Sequence, residues 1–349
     1  MLRVGYFLFI ISALGLLTCC TSGNDKSSKA NEQVVIGFYN LENLFDTIDS
    51  PDVRDEEFTP DGRKEWTGER YSDKLAMMTE VISMLGDTIG APGPAIVGLC
   101  EVENRFVVEE LVAHENISDL GYNIVHQDSP DKRGIDVALI YRPELFKVET
   151  VKAIPLLIYD QEDNERIYTR DQLLVSGKLL TEELHIIVNH WPSRYGGEER
   201  SRPSRKAAAQ LCRSIVDSLK TINSDAKIVI MGDLNDDPHN VSIKDELRAV
   251  SQAELQDGNL FNPYAEKHQN GEGTLCYRGV WNLFDQIILT QSFLDNKDGL
   301  RFKGAYVHDH EMLKEQEGKY KGYPFRTYVG SRYDGGYSDH FPVYIVLKK

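Results

Sequence analysis

The chain has 349 residues, 41% hydrophobic and 27% charged, with 55 acidic against 39 basic residues and a formal net charge of −16. That balance excludes recruitment of polyanions by diffuse electrostatic attraction, so any basic surface has to be local. Beyond the N-terminus the cysteines Cys100, Cys212 and Cys276 are scattered, which excludes a disulfide framework, and there is no zinc-spaced His/Cys cluster, Gly-rich nucleotide loop or internal repeat.

Residues 1–20 read as a leader. Met1 to Arg3 is a short basic start, and Val4 to Leu17 is almost wholly apolar, short for a membrane span but right for a signal-peptide core. The run ends in Leu-Leu-Thr-Cys-Cys20, which resembles a bacterial lipobox, although Thr18 or Cys19 stands where Gly or Ala is usual. Cys20 (or Cys19) is the expected lipidated residue, giving a membrane-attached protein outside the cytoplasm; an uncleaved anchor or plain secretory signal is the alternative. Thr21 to Gln33 is polar and lacks apolar periodicity, as a flexible tether does. Residues 34–349 are enough for one large domain.

Val34 to Asn40 is strand-like, and Asn40 stands at its end. A charged loop from Arg54 to Gly68 precedes a helix from about Glu69 to Leu85, whose stripe Leu75, Met78, Ile82 and Leu85 is core. Pro94 to Asn104 is a buried strand running straight into Glu101. A carboxylate at the edge of a core wants a metal or a cation, unless it closes a salt bridge at the strand end. A short helix follows from Arg105, then two strands, Tyr122–His126 and Ile135–Tyr141. In the second of these Asp136 reads as the solvent-facing half of an alternation.

Tyr168–Lys178 and Glu183–His190 read as antiparallel neighbours turning near Thr181. The second delivers Asn189 and His190 to a corner fixed by Trp191-Pro192. The following loop carries Arg194, Arg200, Arg202, Arg205 and Lys206, a basic run in an acidic chain where a phosphate would be attracted. Pro203 is expected to open the next helix, with stripe Ala208, Leu211, Ile215 and Leu219. A short buried strand, Ile228 to Met231, then leads through Gly232 to Asp233 and Asn235. A carboxylate and an amide one residue apart suit the orientation of a water beside a phosphoryl oxygen, yet Gly-Asp-x-Asn is also an ordinary strand-ending turn. Asp285 precedes another buried run, Lys303 to Tyr337 reads as a Tyr-rich polar loop, and Asp339 and His340 stand at the mouth of the last strand.

Strands ending in Tyr39-Asn40, Glu101, Asn189-His190, Gly232-Asp-Leu-Asn235, Phe284-Asp285 and Ser338-Asp-His340, in that order, resemble the endonuclease/exonuclease/phosphatase superfamily from about Val34 to Leu347. Asn189-His-Trp-Pro-Ser-Arg194 further resembles a secreted bacterial branch of it. The resemblance implies an α/β fold, a two-sheet β-sandwich flanked by helices in four layers (α/β/β/α). It implies that Glu101 binds the divalent metal with Asn40 and Asp339 close by. Asp233 and Asn235 would orient the attacking water, and His190 and the Asp285-held His340 would flank the scissile phosphate as imidazolium donors. Arg170 falls where a phosphate-contacting arginine stands in the deoxyribonuclease branch, and Arg194 in the basic run is a second phosphate candidate.

Phosphodiester hydrolysis passes through a pentacoordinate, highly negative transition state. Mg²⁺ (or Mn²⁺) suits oxygen ligands and needs only one or two carboxylates. The expected activity is therefore a divalent-metal-dependent nuclease acting on DNA or RNA. The alternatives are a phosphatase or lipid phosphodiesterase on the same core, or an inactive scaffold serving as a surface binding lipoprotein.

Overall fold

A computed structural model describes residues 1–2, 33–160, 162–295 and 299–349. The apolar leader, Cys19 and Cys20, and the tether up to residue 32 lie outside the described residues. Among those described, no helix is long and apolar enough to cross a membrane.

The aliphatic and β-branched runs become strands, and these collect into two sheets. The first has six strands in the order Arg301–Val307, Val343–Lys348, Gln33–Leu44, Ile96–Val102, Asp136–Tyr141 and Asn123–His126. The second has seven, in the order Ala249–Val250, Leu260–Phe261, Asp285–Leu289, Ile228–Asp233, Glu182–His190, Gln172–Leu179 and Phe146–Ile154. Alternation along the strands gives each sheet an inner and an outer apolar face. Ile36, Phe38, Val137 and Leu139 of the first meet Val175, Val188, Met231 and Ile287 of the second. Each such fully buried side chain contributes about 1.5–3 kcal/mol. Gly98 leaves the room that Met231 fills, since a Cβ there would lie 2.4 Å from the Met231 sulfur.

The outer faces are covered by helices. Gly68–Met84 and Arg105–Ala113, capped by Thr67 and Asn104, set Met78, Ile82, Val107 and Leu111 on Val97 and Leu99. Glu198–Ile222 sets Ala208, Cys212 and Ile215 on Ile187, Ile228 and Ile230 of the second sheet. Helix, sheet, sheet and helix form the four layers expected, within one compact unit from Gln33 to Lys349. Cys100, Cys212 and Cys276 are all free thiols.

Three local expectations are corrected. Asp136 is buried, not solvent-facing: it binds His126 Nε2 at 3.0 Å and accepts from the Ser129 amide at 2.7 Å. Pro203 does not open its helix but sits inside it, the helix starting at Glu198. Its ring withholds the donor for the Glu199 carbonyl, and side chains brace the turn instead, Ser201 Oγ donating to the Gly197 carbonyl and Arg205 Nη2 to that of Glu198. Finally, the start of the Lys303–Tyr337 loop belongs to an edge strand, where Tyr306 pairs with Tyr344 and stacks on its ring at 4.8 Å. Lys303 and Gly304 mask its alternation at a register shift.

Candidate active site

Sheet register delivers most of the site. His190, Asp233 and Asp285 are cross-strand partners at the same level, Asp233 pairing with His190 on one side and Asp285 on the other. Gly232 permits this close ladder, because a Cβ there would fall 2.3 Å from the Asn189 carbonyl oxygen. In the facing sheet, the strands bearing Asn40 and Glu101 both break register at this end. Glu42, Asn43 and Glu101 take left-handed φ values of 48°, 58° and 59°, a strained backbone that turns their side chains out of the pleat. The Asn43 amide then donates to Glu101 Oε2 at 3.0 Å, fixing that carboxylate.

Asp233 is the hub. Its Oδ2 accepts from Asn40 Nδ2 at 3.1 Å and its Oδ1 from the Asn235 amide at 3.0 Å. Asn235 is not extended but left-handed at φ 51°, so the strand-ending turn and the functional pair are one structure; its Nδ2 donates to the Trp191 carbonyl. Asp233 Oδ2 also faces both imidazoles, 3.7 Å from His190 Nε2 and 3.9 Å from His340 Nε2. His190 Nε2 lies 3.8 Å from Glu101 Oε1. On the far side of His340, Nδ1–H donates to the fully buried Asp285 Oδ2 at 2.6 Å, which leaves Nε2 free to face the site.

These surroundings set the charges. Burial opposes charging of His340, but Asp285, Asp233 and Asp339 together hold its imidazole well above the usual histidine range. Burial holds His190 well below that range, with Arg170, Arg133 and His340 pushing the same way. The surroundings thus favour the charged form at His340 and the neutral form at His190. Burial pushes the Asp233 carboxyl up to about 7, although the His340 charge pulls it down.

The donor set fits a hard divalent cation. Glu101 and Asp233 approach His190 Nε2, Asp233, Asp285 and Asp339 approach His340, and Asp339 pairs with Arg326 at 2.7 Å, which concentrates carboxylate oxygens at one place. Asp233, Asp285 and His340 also converge closely enough to enclose an ion, but the short Asp285–His340 hydrogen bond commits those two groups to each other. Glu101, with Asp233 and Asn40 beside it, is the better place. Asp339 approaches the same His340 atom as Asp233 does, its Oδ1 3.9 Å from Nε2.

The arginine expectations fare differently. Arg170 is buried and spent on protein groups: Nε and Nη2 donate to the carbonyls of His190 and Trp191, and Nη1 to Asp131 at 2.8 Å. It clamps the corner that carries His190. Arg194 donates to the Asn235 carbonyl, Asp236 and Asn240, and its guanidinium lies over the Phe284 ring. Arg205 is fully buried against Asp236, and Arg202 pairs with Glu199. The basic run is thus largely internal bracing and not a phosphate track, because Asp236, Asp237 and Glu198 supply counter-charges that the sequence reading did not pair with it.

Ser338, Glu42 and Lys74 support the site through contacts between distant segments. Ser338 Oγ donates to the Asn40 carbonyl at 2.7 Å and accepts from the His340 amide at 3.1 Å, tying the two sheet-1 strands together at the site. Glu42 accepts from the Thr327 and Tyr328 amides, and buried Lys74 donates to Thr327 Oγ1 and the Tyr337 carbonyl. That pair docks the 303–337 segment beside Asp339. Lys74 was detectable as a cation on the apolar face of its helix, one position before Leu75.

Comparison with known proteins agrees with this geometry. None of the curated proteins matches the sequence. Among solved structures, humanized D. rerio TDP2 superposes with a TM-score of 0.55 at 15% identity, covering 91% of this chain and 99% of that one. D. rerio TDP2 complexed with a single-strand DNA product gives 0.53 at 13% identity, over 91% and 100%. A Bacteroides thetaiotaomicron mannosyl-6-phosphatase gives 0.51 at 15% identity, over 90% and 99%. At these identities they share the fold. The family model described as Endonuclease/Exonuclease/phosphatase family matches residues 35–349, nearly the whole described domain. The chain belongs to the endonuclease/exonuclease/phosphatase family and is a hydrolase of phosphoester bonds.

Proposed function

We propose that this hydrolase is a divalent-metal-dependent phosphodiesterase acting on nucleic acid. The observation that carries the reading is the arrangement around Asp233 Oδ2, with His190 Nε2 on one side and the Asp285-held His340 Nε2 on the other. A phosphoryl group seated there receives hydrogen bonds from both imidazoles, which stabilise the charge that grows on its oxygens. The carboxylates around His340 favour its protonated form, which suits it to donate and not to act as the base. Asp233, whose Oδ2 faces both imidazoles, is placed to take the proton from an attacking water. Asn40 and the Asn235 amide hold its carboxylate in place. Mg²⁺ or Mn²⁺ held by Glu101, with Asn40 and Asp233 adjacent, would supply charge neutralisation at the phosphoryl oxygens.

Substrate choice rests on two supports: the DNA product carried by one structure of the same fold, and the aromatic and cationic side chains of the 303–337 segment. The mannosyl-6-phosphatase of the same fold favours the second reading, a phosphomonoesterase. Incubation with plasmid DNA, RNA, sphingomyelin, inositol phosphates and mannose 6-phosphate at equal Mg²⁺ separates them. Cleavage of a lipid or a monoester with both nucleic acids intact would move the assignment to the second reading. We also propose a lipid on Cys20 or Cys19 and a place in the cell envelope, on the strength of the apolar leader and polar tether.

A further inference from the structure

A cleft of about 600 Å³ opens beside Asp339, bounded by the 318–326 turn and the hairpin of Leu275–Tyr277 and Val280–Asn282. Its size is that of a small-molecule site and not of a duplex groove. Arg278 and Gly279 form the hairpin tip with φ of 51° and 86°, the two left-handed residues of a tight two-residue turn. This tip holds Arg278 over the ring of Tyr277, which is 63% exposed. Opposite, Lys319 lies 5.4 Å from the ring of Tyr320, which is 40% exposed.

Arg278 and Lys319 make no ion pair among the described residues, and both line the same cleft. The aromatic wall is also anchored to the catalytic strand: Tyr320 meets Tyr323 at 5.7 Å, Tyr323 meets Trp281 at 6.0 Å, and Trp281 stacks on Phe341, the neighbour of His340. Two carboxylates, Glu315 and Asp339, share the cleft, and Asp339 is paired with Arg326. Asp339 belongs both to the cleft wall and to the surroundings of His340, so the cleft adjoins the candidate centre.

We infer that this cleft is a nucleotide subsite, which stacks a base against Tyr320 and Tyr323 and holds a further anionic group with Arg278 and Lys319. The inference deepens, and rests on, the reading of the adjoining centre as a phosphodiesterase. It makes the enzyme a reader of single nucleotide units in unpaired strands or at ends. Two measurements test it. Kinetics compare thymidine 5′-(p-nitrophenyl phosphate) with methyl p-nitrophenyl phosphate, which has no base. Tyr320→Ala and Lys319→Ala are each expected to raise KM for the nucleotide ester about tenfold while leaving kcat, and all parameters for the methyl ester, within about twofold. Equal losses on both esters, or no loss on the nucleotide ester, would overturn the subsite. Calorimetric titration with thymidine 5′-monophosphate reads the cleft independently of turnover. If the wild type hydrolyses neither ester, the phosphodiesterase reading fails, while nucleotide binding that both variants weaken still supports the cleft. Absence of nucleotide binding, or mannose 6-phosphate bound as tightly, overturns it.

Discussion

Replacing Asp285 by Asn probes the device on which the charge assignment depends. The carboxylate is fully buried and accepts from His340 Nδ1 at 2.6 Å, while the new side chain keeps the shape and loses the charge. A hydrogen bond to a charged group contributes about 1.5–3 kcal/mol. At about 1.4 kcal/mol per decade, its loss in the transition state lowers kcat by about 10- to 150-fold. The pH profile gives a second readout. His340 is held above its ordinary value, so its proton is present at low pH and lost as pH rises through the raised value; without Asp285 that loss comes at lower pH. The alkaline limb of kcat is expected to move toward acid in Asp285→Asn. Turnover of bis(p-nitrophenyl) phosphate at saturating Mg²⁺ across pH 5–10 measures both effects, with circular dichroism to establish that the variant folds. A folded variant with near-wild-type kcat and an unmoved alkaline limb would refute the reasoning.

Asp233, with its carboxyl near 7, is protonated below that pH and has to release the proton when a cation settles beside it. Mg²⁺ affinity is therefore expected to fall about tenfold per pH unit below about 7 and to level off above it, as read by calorimetry; affinity constant from pH 6 to 8 would count against this. Arg194→Ala is expected to cost about 2–3 kcal/mol of stability in urea melts, because it abandons Asp236, Asp237 and the Asn235 carbonyl, with KM nearly unchanged. A stable variant with a much raised KM would restore Arg194 as a phosphate contact. Replacing both Cys19 and Cys20 by Ser is expected to abolish fatty-acid labelling and membrane recovery, and a wild type that takes up no label would dismiss the anchor.

The residues legible in the sequence were those delivered by sheet geometry. Asn40, Glu101, His190 and Asp233 each end an apolar run, Asp285 and Asp339 stand before one, and strand pairing brings His190, Asp233 and Asp285 level. What stayed hidden depends on contacts between segments far apart in the chain. Asp136 looked like the polar half of an alternation because nothing local announces His126 as its partner. Arg194 and Arg205 looked like an exposed basic run because Asp236, their common counter-charge, stands on a different element. The role of Lys74 emerges only once the distant 327–337 segment folds over it. At Asn235 a left-handed φ lets the backbone amide donate to Asp233 Oδ1, a local turn contact that Gly-Asp-x-Asn does announce.

The most direct test of a metal-assisted, histidine-flanked phosphoester centre is bis(p-nitrophenyl) phosphate hydrolysis by the wild type, Glu101→Gln and His190→Ala, each in Mg²⁺ and in excess EDTA. The wild type is expected to turn over in Mg²⁺ and to stop in EDTA. Glu101→Gln is expected to need more Mg²⁺ for a lower rate. His190→Ala is expected to lose about a hundredfold or more in kcat while keeping the Mg²⁺ response. Full wild-type activity in excess EDTA, or near-wild-type turnover by His190→Ala, would contradict the account.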